Sequence, residues 1–221
     1  MHKLRFTLIE LLIVITVIAI LAGLFLPALG KAKALAKSIN CKNQLHQTYV
    51  PIFNYTEDYN GYLLYSYDTS APRLWTDKLV SLGYWNAGGK KQVRGYTDNS
   101  LRSMYAMTIC PSANPHDEEA WASDYSPGRF IMTYPYYDNP IGIFLPKLSQ
   151  VAPDTAMLFD GNGAYGYPCA HNVWSDSSSK ARCRHNKRAN FLWADSHVND
   201  MPESIVMTMN NTSKYVTLEN D

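Results

Sequence analysis

Residues 6–29 read FTLIELLIVITVIAILAGLFLPAL. No residue from Leu11 to Leu29 carries a charge. As a helix that run spans roughly 28 Å at about 1.5 Å per residue, the thickness of a bilayer's hydrocarbon core. A helix buried in a soluble domain is rarely apolar all round for so long. The stretch therefore reads as a membrane span or an export signal, and the rest of the fold is placed by it.

Two residues depart from a plain anchor. Glu10 lies one turn inside the apolar run, where a carboxylate costs a few kcal/mol (about 2.5–3.5 for Asp at mid-span, less near an end) and needs a partner or a task. Pro27 lies near the far end, where it removes a backbone donor and can kink the helix. His2, Lys3 and Arg5 precede the run, so by the positive-inside rule the N-terminus stays cytoplasmic and the remainder is exported. A secretion signal ending near Ala28-Leu29-Gly30 is one alternative. A plain single-span anchor is another, and it leaves Glu10 without a role.

Beyond Pro27 the helix is expected to continue. Residues 30–37, GKAKALAK, are mostly good helix formers. Leu35, Ile39, Leu45, Tyr49, Ile52 and Phe53 then recur at three-, four- and seven-residue spacings, an apolar stripe that needs a surface to cover, most simply a sheet. Pro51 should bend this part or strip one of its bonds, and Asn60-Gly61 marks its end.

The run RFTLIELLIVITVIAILAGLFLPAL resembles the N-terminal cleavage and methylation segment of type IV prepilins and type II secretion pseudopilins. The resemblance implies cleavage between Arg5 and Phe6 by a prepilin peptidase, N-methylation of Phe6, an assembly role for Phe6 and Glu10, and a helix kink at Pro27. Arg5 stands where that family usually has a small residue. The implied fold is α+β: a long N-terminal helix, membrane-spanning in its first half, packed on a small antiparallel β-sheet. Residues 1–5 would be the cytoplasmic leader, 6–29 the span, 30–58 its amphipathic continuation and 59–221 a β-rich domain outside the inner membrane of a bacterium. The implied partners are copies of the chain, other pilin-like subunits, the peptidase, membrane lipids and a secretion or pilus assembly platform. A monomeric, membrane-anchored binding domain is the competing expectation.

Composition agrees with export of a loop-rich domain. The 221 residues suffice for one domain with a core beyond the span, and 16 tyrosines with 12 prolines favour β structure and turns over a bundle. Formal net charge is +1, and setting aside Lys3, Arg5 and Glu10 brings the rest to neutrality. No basic stripe interleaves with aromatics, so no nucleic-acid partner is expected. Gly61–Tyr67, Met104–Cys110, Phe130–Tyr134, Thr155–Phe159 and Asn190–Ala194 are expected strands. Leu74–Leu82 is an expected short helix ending at Gly83. Asn86–Asn99 and Pro111–Gly128 read as loops, and Met201–Asp221 as a polar tail.

Chemistry-bearing residues concentrate late in the chain. His185 and Asp195 in RHNKRANFLWADSHV resemble the H-X9-DG motif of large pilin-like proteins, with Ser196 in place of the glycine. A hydrogen bond from His185 to Asp195 locking a hairpin is the expected role. The four cysteines, 41, 110, 169 and 183, would lie where disulfides persist. Cys169–Cys183 closing a short loop is favoured over a zinc site drawn from Cys169, His171, Cys183, His185 and His197, whose spacing matches no familiar framework. Cys41 and Cys110 are left to pair. Pseudopilins raise calcium as a cofactor, with Asp160, Asn162, Asp176 and Asp195 as oxygen donors, but no EF-hand-like spacing exists. Neither a resident metal nor another cofactor is expected. With no P-loop, nucleophile elbow, His-Glu-x-x-His or dinucleotide fingerprint, neither is catalysis.

Overall fold

The computed structural model describes residues 7–64, 75–86, 88–94, 101–113, 125–127, 146–161 and 181–206. Its dominant element is one helix, α1 (Leu8–Asp58), of 51 residues. Among the described residues it is the one helix long and apolar enough to cross a membrane. Both Pro27 and Pro51 lie inside it. Each removes one donor, yet the helix runs on through both, because the neighbouring turns keep their own bonds. At the C-terminal end Asn60 and Gly61 take positive φ (+56 and +82). The Gly61 N–H turns back to the Thr56 carbonyl at 2.6 Å, closing the last turn.

α1 is two helices in physical character. Residues 8–36 are exposed throughout, an arm of roughly 43 Å at about 1.5 Å per residue. From Cys41 onward one stripe is buried: Cys41, Leu45, Thr48, Pro51, Ile52, Tyr55 and Thr56. This corrects the expected stripe. Leu35 and Ile39 are 64% and 50% exposed, and belong to the arm rather than to the packed face. The domain reaches along the helix only as far as Cys41, and Phe53, also expected in the stripe, lies off the buried face at 39% exposed.

The buried stripe lies on an antiparallel sheet. Its strands are β3 (Tyr125–Pro127), β4 (Ala156–Asp160), β5 (Arg188–Trp193) and β6 (Val198–Pro202), in that spatial order. Phe159 faces Phe191 and Leu158 faces Leu192 across β4 and β5. The sheet is covered on both faces. Leu158 and Leu192 pack with Cys41, Leu45 and Ile52 of α1, while Phe159, Phe191 and Trp193 pack with Ala181 and Val206. Val206 comes from a single turn, α3 (Glu203–Val206). A five-residue run buried at every position, as in β4, is what a strand covered on both sides requires. The α+β arrangement of one long apolar N-terminal helix and a small antiparallel sheet is thus observed.

A short helix, α2 (Trp75–Ser81), precedes Gly83 at φ +82, and its Trp75 and Leu79 join the α1 face. Several expectations are corrected. The segment read as a loop over 86–99 contains β1 (Lys90–Arg94), paired antiparallel with β2 (Leu101–Tyr105). Lys-Lys-Gln-Val-Arg has no apolar alternation, so only its partner makes it a strand. The strand expected over 104–110 ends at Tyr105 and passes into a 3₁₀ turn, Ala106–Thr108. The loop over 111–128 contains β3. Within 61–64 the backbone makes one isolated bridge, Tyr62 to Lys147. The expected strand over 130–134 lies outside the described residues.

Candidate functional site

Among the described residues, two places hold groups that packing alone does not account for. The first is the start of α1. Thr7 is the N-cap and Glu10 the third helical residue, and together they form a capping box. The Glu10 N–H donates to Thr7 Oγ1 at 3.3 Å, and the Thr7 N–H and hydroxyl both donate to Glu10 Oε2 at 2.8 Å. The Thr-Leu-Ile-Glu spacing dictates this, since it sets Thr and Glu three residues apart before an apolar run. Glu10 is therefore held at the helix mouth by local bonds, and those its carboxylate accepts among the described residues both fall on Oε2. Arg5 and Phe6 lie outside those residues.

The second place is built by the stretch 181–206. The His185 and Arg188 backbones bond each other reciprocally at 3.1 Å around Asn186 and Lys187, both at positive φ (+52 and +60). Positive φ at both central positions of a two-residue turn defines a type I′ turn. β5 then runs to Trp193. A three-residue loop, Ala194-Asp195-Ser196, closes on the Trp193 N–H bond to the His197 carbonyl at 3.0 Å, with Ser196 at φ +77. That left-handed third position is where such loops favour glycine.

The expected bond between His185 and Asp195 is not formed. The whole of β5 separates them, on the order of 20 Å at about 3.3 Å per residue. Asp195 instead accepts from the His197 N–H at 3.1 Å and contacts the His197 ring, which stacks on Trp193. His185 turns inward. Its Nε2 lies 3.3 Å from Asp160 Oδ2 and 3.5 Å from Cys110 Sγ. Cys41 completes the group: the donor atoms of Cys41, Cys110, Asp160 and His185 lie within 4.8 Å of one another, and all four residues are buried.

Four elements place these side chains. Cys41 is the first buried residue of α1. Cys110 opens a turn closed by the Ala113 N–H on its carbonyl at 2.9 Å, with Pro111 at the position such turns favour. Asp160 ends β4, where the Asn190 N–H of β5 donates to its Oδ2 at 2.8 Å. His185 sits at the corner of the type I′ turn. Cys41 and Cys110 are thiols here, not joined as the expected disulfide.

The electrostatics couple the four. The hydrogen bond between the two sulfurs lowers the Cys110 thiol and raises that of Cys41, with burial adding to the rise. Burial would push His185 down, but its contacts with Asp160 and Cys110 outweigh it and raise it. Burial pushes the Asp160 carboxyl up against the pull of His185. Asp160 Oδ1 and His185 Nδ1 are buried without a hydrogen-bond partner among the described residues.

Other sequence candidates are not brought here. Cys183 is half-buried and packs against the opposite apolar layer. His197 is at the far end of β5. Cys169, His171, Asn162 and Asp176 lie outside the described residues, and Asp160 and Asp195 do not share a site. The sequence reading missed the Asp160–His185 pairing. Its only signal was an aspartate closing a fully apolar β run, since nothing local ties residue 160 to residue 185. The chain matches no protein-family model, no curated protein and no solved structure.

Proposed function

We propose that this chain is a structural subunit of a pilus-like filament, of the type II secretion pseudopilus or type IV pilus kind, assembled through α1. One observation carries the reading: residues 8–36 of α1 are exposed throughout, and from Leu11 to Leu29 they are uncharged and apolar, with an acidic residue at their head. A monomer has no use for so long an uncovered apolar arm beyond anchoring, whereas a bundle of parallel arms covers it.

In this reading the basic leader holds the N-terminus in the cytoplasm and a peptidase cleaves before Phe6. The sheet domain lies outside the inner membrane. Lipid competes with helix–helix contacts almost evenly, so apolar area alone does not select assembly. The amine freed at Phe6 lies near the depth of Glu10. In a stack of axially shifted helices the Glu10 of one subunit meets the Phe6 amine of its neighbour, and two poorly solvated charges compensate each other.

The test has two parts. Mass spectrometry of the chain from its native membrane is expected to find a start at methylated Phe6. Glu10→Ala is expected to leave membrane insertion intact but to abolish filaments and cysteine crosslinks between neighbouring spans. Unchanged crosslinks and filament yield in Glu10→Ala would leave the arm as an anchor for a monomeric domain.

A further inference from the structure

We propose that Cys41, Cys110, Asp160 and His185 form a structural zinc site that clamps α1 to the sheet. The inference rests on the buried cluster and is independent of whether the chain assembles into filaments.

Geometry comes first. A tetrahedral zinc ion with Zn–S near 2.3 Å and Zn–N or Zn–O near 2.0–2.1 Å places its ligand atoms about 3.3–3.8 Å apart. The Nε2 of His185 is 3.5 Å from Cys110 Sγ and 3.3 Å from Asp160 Oδ2, the separations such a centre sets for S···N and N···O. All four donor atoms fall within 4.8 Å of one another. The ligand types suit the ion as well: thiolate, imidazole and carboxylate are its usual donors.

Hydrogen bonding satisfies the cluster less well. A neutral imidazole carries at most one proton on Nε2, yet that nitrogen faces both a sulfur and a carboxylate oxygen. A cation at the centre of the four donors engages all of them. Binding replaces the two thiol protons, which leave to solvent, and uses neutral imidazole through Nε2. Two thiolates and one carboxylate around Zn²⁺ leave one net negative charge, and the Asn190 N–H already donates to the carboxylate oxygen that faces the site, as an outer-shell partner does.

The position of the cluster says what the metal does. Its ligands come from α1, the turn after β2, the end of β4 and the corner before β5, so the ion joins segments distant in sequence. Cys41 is where α1 first becomes buried. The clamp therefore fixes where the exposed arm leaves the domain. Four protein ligands and full burial leave no open coordination position, which makes the site structural rather than catalytic.

The probe is the metal itself, added to the full-length chain purified in detergent under reducing conditions. Stoichiometric zinc is expected, and Co²⁺ in its place is expected to give thiolate-to-cobalt charge transfer with tetrahedral d–d bands. Cys183→Ser should keep these bands. Cys110→Ser should lose them. Asp160→Asn should weaken zinc binding on the order of tenfold or more. Because ligand loss can also unfold the domain, His185→Cys is the rescue: it offers a third thiolate and should retain cobalt with stronger charge transfer, whereas His185→Phe should not. Absence of zinc and of cobalt bands in the wild-type chain, or a Cys41–Cys110 disulfide in peptide maps of protein taken from its native membrane, would overturn the proposal. So would cobalt bands that vanish in Cys183→Ser and survive in Cys110→Ser.

Discussion

Ser196 holds a left-handed backbone conformation, φ +77, in the loop that turns β5 into β6. An L-residue there has its Cβ crowded against the following carbonyl, a cost of about 1–2 kcal/mol that glycine escapes. Glycine gives back part of the gain through the greater freedom of the unfolded chain, so Ser196→Gly is expected to stabilise the domain by about 0.5–1 kcal/mol. Thermal unfolding of the full chain in detergent should show the rise in midpoint, and an unchanged or lower midpoint would mean that the Ser196 side chain contributes more than its strain. The strain was legible in the sequence, because Asp-Ser stands where a hairpin loop wants Asp-Gly. The partner of His185 was not. A histidine ten residues before an aspartate invites pairing, but the six-residue strand β5 lies between them, and a strand holds its ends apart. Asp160 reaches His185 through sheet register, and register is a property of two strands rather than of one stretch of sequence.

At the scale of elements, the α1–sheet contact rests on the stripe that begins at Cys41. Leu45 is wholly buried and Leu35 largely exposed. Leu45→Ala is expected to destabilise the domain by about 2–5 kcal/mol by leaving a cavity, while Leu35→Ala should leave domain unfolding within about 0.5 kcal/mol. Equal effects in denaturant titrations would contradict the boundary drawn at Cys41. One ionic contact reinforces the stripe: Asp200 of β6 pairs with Lys42 of α1 and Arg188 of β5. Burial pushes the Asp200 carboxyl up, but the two cations outweigh it and hold it below its usual range. A depressed carboxylate contributes stability that is complete above its unfolded pKa, near 3.8, and is lost as pH falls through the lower folded value. Asp200→Asn is therefore expected to lower stability by about 1 kcal/mol at neutral pH, with the gap to wild type closing below about pH 4. A gap that persists at low pH would assign the effect to packing. The helix and the central strands were legible because their apolar patterns are local. β1 was not, because a Lys- and Arg-rich strand acquires its identity only from the neighbour that pairs with it.

At the scale of the whole molecule, Glu10 has two duties that its own geometry allows to be separated. In the single chain its carboxylate closes a capping box with Thr7, a local bond that holds the helix start. In the proposed filament the same carboxylate carries the charge that answers a neighbour's Phe6 amine. Glutamine serves a capping box nearly as well as glutamate, because the Thr7 donors need an oxygen rather than a charge. Glu10→Gln should thus preserve the helix start and remove only the charge. Thr7→Ala does the reverse: it removes the hydroxyl from the box but leaves the carboxylate and the Thr7 backbone donor in place. If the charge governs assembly, Glu10→Gln fails to form filaments as Glu10→Ala does, and Thr7→Ala assembles. If the cap governs it, Glu10→Gln assembles and Thr7→Ala fails. Filament yield and crosslinks between neighbouring spans, measured side by side in the three variants, distinguish the two. The first pattern is expected, since a single helical turn at the head of a long apolar helix is held by the turns that follow it, whereas an unpaired charge among packed apolar arms has nothing else to neutralise it.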